Sequence, residues 1–284
     1  MTAQATSSPA ALMARARQVL QQPELIPEGL PIRVGVDLGT ASIVVTVTDA
    51  DGWPLACASR PADVVRDGVV WDFAGAIEIV IGLVGELERR TGRQLDAAAV
   101  TIPPGVSGSD HRAHGYILDA AGLECCAVVD EPSAANAVLG LRDAAVVDIG
   151  GGTTGIAILR DGDVAHTIDE PSGGTHVSLV VAGALGVSLA EAERIKVDPS
   201  RQAALLPVVR PVLEKFASIV GTAIAGQAVQ RIVLVGGTCA FPRIDQIMTE
   251  ITGIASEVAP EPLLVTPVGV ASWGRLLTSS EAKD

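Results

Sequence analysis

The sequence predicts an α/β protein of two lobes of similar design. From Ile32 onward, short apolar blocks of strand length alternate with segments of helical spacing. Val-Gly-Val-Asp-Leu-Gly (34–39) returns as Ala-Val-Val-Asp-Ile-Gly (145–150), so each half opens as strand, aspartate, glycine turn, strand and hairpin. Glycine turns follow strand ends at Asp37-Leu38-Gly39-Thr40, at Asp148-Ile149-Gly150-Gly151-Gly152-Thr153 and at Gly236-Gly237-Thr238.

Composition narrows the function classes. The 284 residues are 48% hydrophobic and 2% aromatic, with 33 acidic against 20 basic side chains and a formal net charge of −13. That length holds one large domain or two modest ones. A nucleic-acid binder needs a basic footprint to release counterions, and single strands favour aromatic platforms; both are missing. Mean hydropathy is +0.41, yet the apolar residues come in short blocks. The longest uncharged stretch, Pro171 to Ala190, begins Pro-Ser-Gly-Gly-Thr-His, which falls short of a bilayer span. No membrane insertion is expected. Cys57, Cys125, Cys126 and Cys239 show no CxxC spacing, so they read as core thiols in a reducing cytosol, with Cys125 and Cys126 on opposite faces of a strand. The N-terminus has no secretion-signal pattern, and a cytoplasmic location is expected.

Residues 1–29 read as a flexible leader, or as a docking helix over Pro9–Gln22 with Leu12, Val19 and Leu20 on one face, before Pro23, Pro27 and Pro31. Strands follow at Ile32–Val36 and Ile43–Thr48, with a hairpin signal at Asp51-Gly52. Phe73–Thr91 has helical spacing, basic residues in its last turn and Gly92 beyond it. Ala97–Ile102 is a strand, Ser109–Ala121 a helix stopped by Gly122, Cys125–Val129 a strand, and Pro132–Leu139 a helix begun by proline. In the second half, strands Ala144–Ile149 and Gly155–Leu159 flank the long glycine turn, and Asp161-Gly162 turns the chain again. Helices are expected at Thr175–Leu185, Ser188–Lys196, about Pro211–Ala228, about Pro242–Thr252 and Val268–Leu277, with a buried strand at Ile232–Val235.

A glycine turn after a strand lets backbone N–H groups converge on an anion without any lysine. Two lobes, each with such a turn, are expected to clasp a nucleotide. Asp37 and Asp148 beside phosphate then require a cation, and Mg²⁺ suits because it keeps its waters and meets carboxylates mostly through them. Glu131, at a strand end before Pro132, is placed to orient an attacking water. The plainer alternative for each acid is a turn-capping carboxylate.

At this point the motifs resemble the actin/hexokinase/DnaK-type ATPase superfamily. Val34–Thr40 looks like its first phosphate motif, Val129-Asp-Glu-Pro-Ser-Ala-Ala135 its first connecting motif, Val147–Thr153 its second phosphate motif, Val233–Thr238 its adenosine motif and Pro267–Ala271 its second connecting segment. Asp63–Phe73, Pro103-Pro-Gly105, Ala121-Gly-Leu-Glu124 and Asp148–Ile158 are similar to the ethanolamine utilization EutJ family, DnaK-like proteins encoded with microcompartment enzymes. The resemblance implies an actin-like fold of duplicated ribonuclease-H-like lobes, at 30–143 and 144–265, with a C-terminal helix at 266–278 packing back on the first and a frayed tail at 279–284. It implies ATP or ADP with Mg²⁺, the ion held through water by Asp37 and Asp148, and Glu131, Asp148 and Asp37 as catalytic acids. Phosphate would meet Gly39 and Thr40, then Gly150, Gly151, Gly152 and Thr153. Adenosine would meet Gly236 and Gly237, with Glu193 and Lys196 at the ribose or adenine edge. The implied role is chaperone-like, on microcompartment enzymes or shell proteins. A filament-forming ATPase and a small-molecule kinase are the alternatives on this fold.

Three departures bear on rate. No lysine precedes Lys196, so the first-lobe lysine of the DnaK type is missing; Arg66 is a candidate substitute, although an arginine in a loop more often faces solvent. Gly155 follows Thr153-Thr154 where relatives place an acid, and the chain ends soon after the ATPase body. Slow hydrolysis, or binding alone, is therefore expected. His111 and His114, at i and i+3 without a third ligand, read as solvated or capping residues.

Overall fold

A computed structural model of the chain describes residues 8–66, 69–104 and 108–278. Asp67, Gly68 and Gly105 of the quoted motifs, the start of the leader and the tail at 279–284 lie outside the described residues. The chain divides into two compact units. One draws on Met1–Ile102, Val106–Gly140 and Leu264–Asp284, the other on Pro103–Gly105 and Leu141–Leu263.

The first unit opens with α1 (Pro9–Gln21), capped by the Ser8 hydroxyl, which accepts from the Ala11 N–H, and with Pro9 in its first turn. This segment is no loose leader. Met13, Ala16 and Val19 are fully buried, and α1 packs on β3 (Pro54–Pro61) and α4 (Glu131–Leu139). Arg15 pins it by pairing with Glu24 at 3.0 Å and donating to the Pro54 carbonyl at 3.2 Å.

The sheet of this unit has the order β3-β2-β1-β6-β7, adding β1 (Ile32–Leu38), β2 (Ser42–Asp49), β6 (Ala97–Ile102) and β7 (Glu124–Asp130). β1–β2 and β2–β3 run antiparallel, the latter through the Asp51-Gly52 turn, whereas β1–β6 and β6–β7 are parallel. A two-stranded hairpin, β4 (Val65–Arg66) and β5 (Val69–Val70), leads into α2 (Phe73–Thr91). Asp72 caps the N-terminus of α2, and Gly92 ends it in the left-handed region. In α3 (Gly108–Ala120), His111 is exposed but His114 is fully buried beside Ile117 and Leu118, so His114 is a core residue rather than a solvated one.

The second unit repeats the plan. β8 (Ala145–Ile149), β9 (Thr154–Arg160), β10 (Asp163–Glu170), β11 (Ile232–Val235) and β12 (Ser256–Val258) have the order β10-β9-β8-β11-β12, with the same senses. Asp37 is the penultimate residue of β1 and Asp148 the penultimate residue of β8. Four helices follow: α5 (Gly174–Leu185), α6 (Leu189–Val197), α7 (Pro199–Ala223) and α8 (Ile244–Thr252).

Two helices differ from the sequence expectation. α7 begins at Pro199, capped by Asp198, and runs through Pro207 and Pro211. Both prolines lie on its exposed side, where water can serve the carbonyls they leave without an N–H partner. Leu205, Val209, Leu213, Phe216 and Val220 bury the opposite side. The last helix, α9, is short (Val265–Val270), back in the first unit, and gives way to a 3₁₀ turn at Ala271–Trp273. Gly274 lies so close to β1 that a Cβ would sit 2.6 Å from the Val34 carbonyl oxygen. The chain therefore extends, and Leu277 and Ile32 exchange backbone hydrogen bonds of 2.7 and 3.0 Å.

Among the described residues no single helix is long and apolar enough to cross a membrane. All four cysteines are free, with Cys57 and Cys239 buried and Cys125 and Cys126 half-buried. Burial pushes the Cys57 thiol up to about 11, because the thiolate would lose its hydration. In native protein at pH 8 we expect a thiol reagent to titrate Cys125 and Cys126 within minutes, and all four only after unfolding. Gly269 tests the α4–α9 contact, since a Cβ there would come within 1.8 Å of the Ala134 carbonyl oxygen. Gly269→Ala is expected to cost at least ~2 kcal/mol in urea unfolding.

Candidate functional site

In the second unit the strand β8 carries Asp148, 7% exposed, next to its end and runs into the turn Gly150–Thr153. The turn closes on itself through Gly150 N–H to Thr153 carbonyl, 3.1 Å. Its carbonyls are then drawn to one side. Gly150 accepts from Gly174 N–H at 2.9 Å and from the Thr238 hydroxyl at 2.8 Å. Gly151 accepts from Thr175 N–H at 2.8 Å and from the Thr175 hydroxyl at 2.9 Å. In a trans peptide the C=O and the next N–H point in opposite directions. The Gly151 and Gly152 N–H groups are thereby aimed away from α5, side by side. Two consecutive amides so aimed form an anion-binding concavity.

Gly-Gly-Thr occurs three times in the chain, at 151–153, 173–175 and 236–238, and this turn is where all three meet. A Cβ on Gly173 would come within 2.8 Å of the Gly151 carbonyl oxygen and the Thr153 nitrogen. Gly236 has φ +90°, and a Cβ there would stand 2.3 Å from Asp148 Oδ1. Only glycine lets β11 pass the aspartate this closely. Gly237 opens a 3₁₀ turn, Gly237–Ala240, that carries Thr238 inward. Behind it, the Cys239 thiol is pushed well above its usual value, first by burial and then by the nearby Asp148 charge.

Glu193 and Lys196 do not form a solvated helix face. Lys196 is 7% exposed, donates to the Gly174 carbonyl at 3.1 Å and pairs with Glu193 at 2.7 Å. Glu193 also accepts from the Ser178 hydroxyl. One buried ammonium thus anchors the first turn of α5, whose amides hold the glycine turn. Asp148, Gly150–Thr153, Lys196 and Gly236 accordingly share one neighbourhood, with Glu193 and Gly237 at its edge.

The first unit carries the other candidates. Asp37 Oδ1 accepts from the Thr101 hydroxyl at 2.6 Å, and Thr101 accepts from Leu38 N–H at 3.2 Å. Gly39 and Thr40 are half-buried in the β1–β2 turn, and a Cβ on Gly39 would sit 2.8 Å from the Ser42 carbonyl oxygen. Glu131 opens α4, half-buried, where a carboxylate favours the helix dipole. The capping itself is done by Asp130, which accepts from Ser133 N–H at 2.9 Å. Arg66 is engaged locally by Asp63 at 3.1 Å and lies 4.1 Å from the centre of the Trp71 ring. At the missing acid, Gly155 faces Pro104, whose ring carbons would be 3.3 Å from a Cβ.

Sequence reasoning missed Thr101, Gly173, Gly174, Thr175 and the hydroxyl of Thr238. For all but Thr101 the signal was the threefold Gly-Gly-Thr, which becomes informative only when read as one set. Among the described residues no group of three or more His, Cys, Asp or Glu side chains could hold a metal by itself. A carboxylate such as that of Asp148 is the kind of donor Mg²⁺ takes when one or two carboxylates supplement phosphate oxygens and water.

A protein of Escherichia coli (strain K12) described as ethanolamine utilization protein EutJ is 44% identical over 246 residues, spanning 86% of this chain and 87% of its own length. The crystal structure of EutJ from Carboxydothermus hydrogenoformans superposes with a TM-score of 0.88 at 44% identity, covering 94% of this chain and 98% of that one. The chain belongs to the EutJ family. The wider fold is that of actin-like proteins: the Cell division protein FtsA profile matches residues 145–269, and the MreB/Mbl protein profile residues 57–183. MreB5 of Spiroplasma citri bound to AMPPNP superposes at a TM-score of 0.65 with 17% identity, over 86% of this chain and 95% of its own. At that identity the likeness concerns the fold alone. It places the doubled sheet order of this EutJ family member within the actin-like α/β class.

Thr238→Val keeps the shape and removes the hydroxyl that anchors Gly150. We expect a loss of about 1 kcal/mol in stability and faster amide exchange at Gly174 and Thr175, measured by hydrogen–deuterium exchange. Unchanged exchange at those two amides would contradict the clamp.

Proposed function

We propose that this chain is a nucleotide-binding accessory protein of the ethanolamine-utilization system, acting as a slow switch on a protein partner. The observation that carries the reading is the pair of amides at Gly151 and Gly152, aimed outward because their carbonyl neighbours are clamped by α5 and Thr238. The AMPPNP named for the Spiroplasma relative on the same fold supports a nucleoside triphosphate as the anion.

In this reading Gly150–Thr153 hold phosphate oxygens by backbone N–H, and Gly39 and Thr40 do so from the first unit. Asp148 and Asp37 would hold a magnesium ion through water, and the ion would supply neutralisation of phosphate charge. Thr101 donates to Asp37, and the Gly236 backbone passes close beside Asp148. Gly236 and Gly237 leave room for adenosine, with Lys196 and Glu193 at its edge. Glu131 orients the attacking water. The first-lobe lysine is missing and Arg66 is occupied by Asp63, so charge stabilisation of the transferred phosphoryl group is weak and turnover slow. The clients would be enzymes or shell proteins of the microcompartment, met in the cytoplasm and handled in chaperone fashion.

Calorimetric titration tests this directly. Folded protein is expected to bind ADP and ATP at micromolar to millimolar concentrations, more tightly with Mg²⁺, and Asp148→Ala to lower the Mg²⁺ enhancement by about tenfold, or 1.4 kcal/mol. Single-turnover hydrolysis is expected on the order of 10⁻³ s⁻¹, the scale of unassisted nucleotide switches. No binding of either nucleotide at millimolar concentration would overturn the proposal.

A further inference from the structure

Strand pairing sets one row of residues across the second sheet, level with the start of the glycine turn. Val235 of β11 stands beside Asp148 of β8, Asp148 beside Gly155 of β9, and Gly155 beside Asp169 of β10. Direct neighbours in such a row put their side chains on one face. The adjoining positions Leu234, Val147, Ile149, Ile156 and Ile168 belong to the apolar core on the opposite face or pack against it. Asp148 and Asp169 therefore share a face, with a glycine between them.

β10 is an edge strand, where an aspartate has open water to turn to. Asp169 turns inward instead. The atoms nearest to where a Cβ on Gly155 would sit are two Pro104 ring carbons at 3.3 Å and Asp169 Oδ1 at 3.9 Å. That oxygen is buried. Glycine inside a strand marks a place of close approach. A side chain at 155 would crowd the Pro104 ring and take the room into which Asp169 reaches. Two strand spacings of about 4.8 Å set the Cα atoms of Asp148 and Asp169 about 10 Å apart. Like charges facing across that gap repel, and a cation between them relieves the repulsion. The gap suits an ion that keeps its waters, as Mg²⁺ does, better than one ligated directly by both carboxylates.

We propose that Asp169 is a further positioning residue of the glycine-turn site, which together with Asp148 holds one magnesium ion through water. The acid missing at position 155 is thereby supplied from the next strand. This deepens the nucleotide reading of the site and rests on it.

Calorimetric titration of the full chain with ADP, with and without Mg²⁺, tests the assignment. Asp169→Asn is expected to leave the metal-free affinity for ADP as in the wild type and to lower the Mg²⁺ enhancement about fivefold. Asp169→Ser, which keeps a hydroxyl for hydrogen bonding, is expected to do the same and carries the test if Asp169→Asn does not fold. Adding Gly155→Asp to either variant returns a carboxylate to the row and is expected to restore part of the enhancement, which a purely structural role for Asp169 would not allow. A wild-type Mg²⁺ enhancement in a folded Asp169 variant would overturn the assignment and leave the nucleotide reading standing. So would a metal-free affinity that falls as far as the metal-bound one. A wild type that binds no ADP with or without Mg²⁺ would overturn both.

Discussion

The carbonyl of Gly150 is the constraint on which the second unit is organised. It accepts from the first amide of α5 and from the Thr238 hydroxyl at the end of β11. Three segments far apart in sequence are thereby tied to one oxygen. Because the peptide is planar, fixing that oxygen also fixes where the next amide points. Gly173 and Gly174 must be glycine because the turn lies against them, and a Cβ on Gly174 would fall 2.6 Å from Thr238 Oγ1. Lys196 completes the arrangement by holding the Gly174 carbonyl from below. The amides of Gly151 and Gly152 are thus set in place without a single lysine or arginine in the turn.

Duplication supplies the scaffold, and small differences give the two copies different roles. β1 and β8 are both central strands with an aspartate next to last, flanked by an antiparallel strand and a parallel one. The parallel neighbour of Asp148 is Val235, whereas Asp37 is met by Thr101. A hydroxyl therefore orients the first carboxylate. Burial against the Gly236 backbone confines the second. At the matching position of the parallel neighbour strand, a threonine hydroxyl reaches Asp37 and a valine stands beside Asp148.

Much of the architecture was legible in local pattern. Phe73–Thr91 carried helical spacing, last-turn arginines and a terminating glycine, all short-range signals that the structure honours. Strands such as Ala97–Ile102 and Ile232–Val235 stood out as apolar blocks because both of their faces are covered. What failed to show depended on partners distant in sequence. The sequence expectation opened this helix only at about Pro211, but an apolar stripe opposite the prolines carries α7 back through Pro207 to Pro199. The C-terminal helix stops early because Gly274 must pass against β1, which no window around residue 274 can reveal. His114 and Lys196 read as polar helix residues, and only packing shows that both are buried.

The sequence by itself determined the fold class, the doubling of the sheet, the aspartate at each central strand end and the glycine turns beside them. These follow from periodicity and backbone freedom, which act over a few residues. Only the tertiary structure decided that three Gly-Gly-Thr segments converge, that Lys196 anchors α5 rather than facing water, and that the N-terminal segment packs as a helix. Those outcomes depend on hydrogen bonds and burial between residues tens of positions apart. The path of the chain, and not its local pattern, brings such residues together.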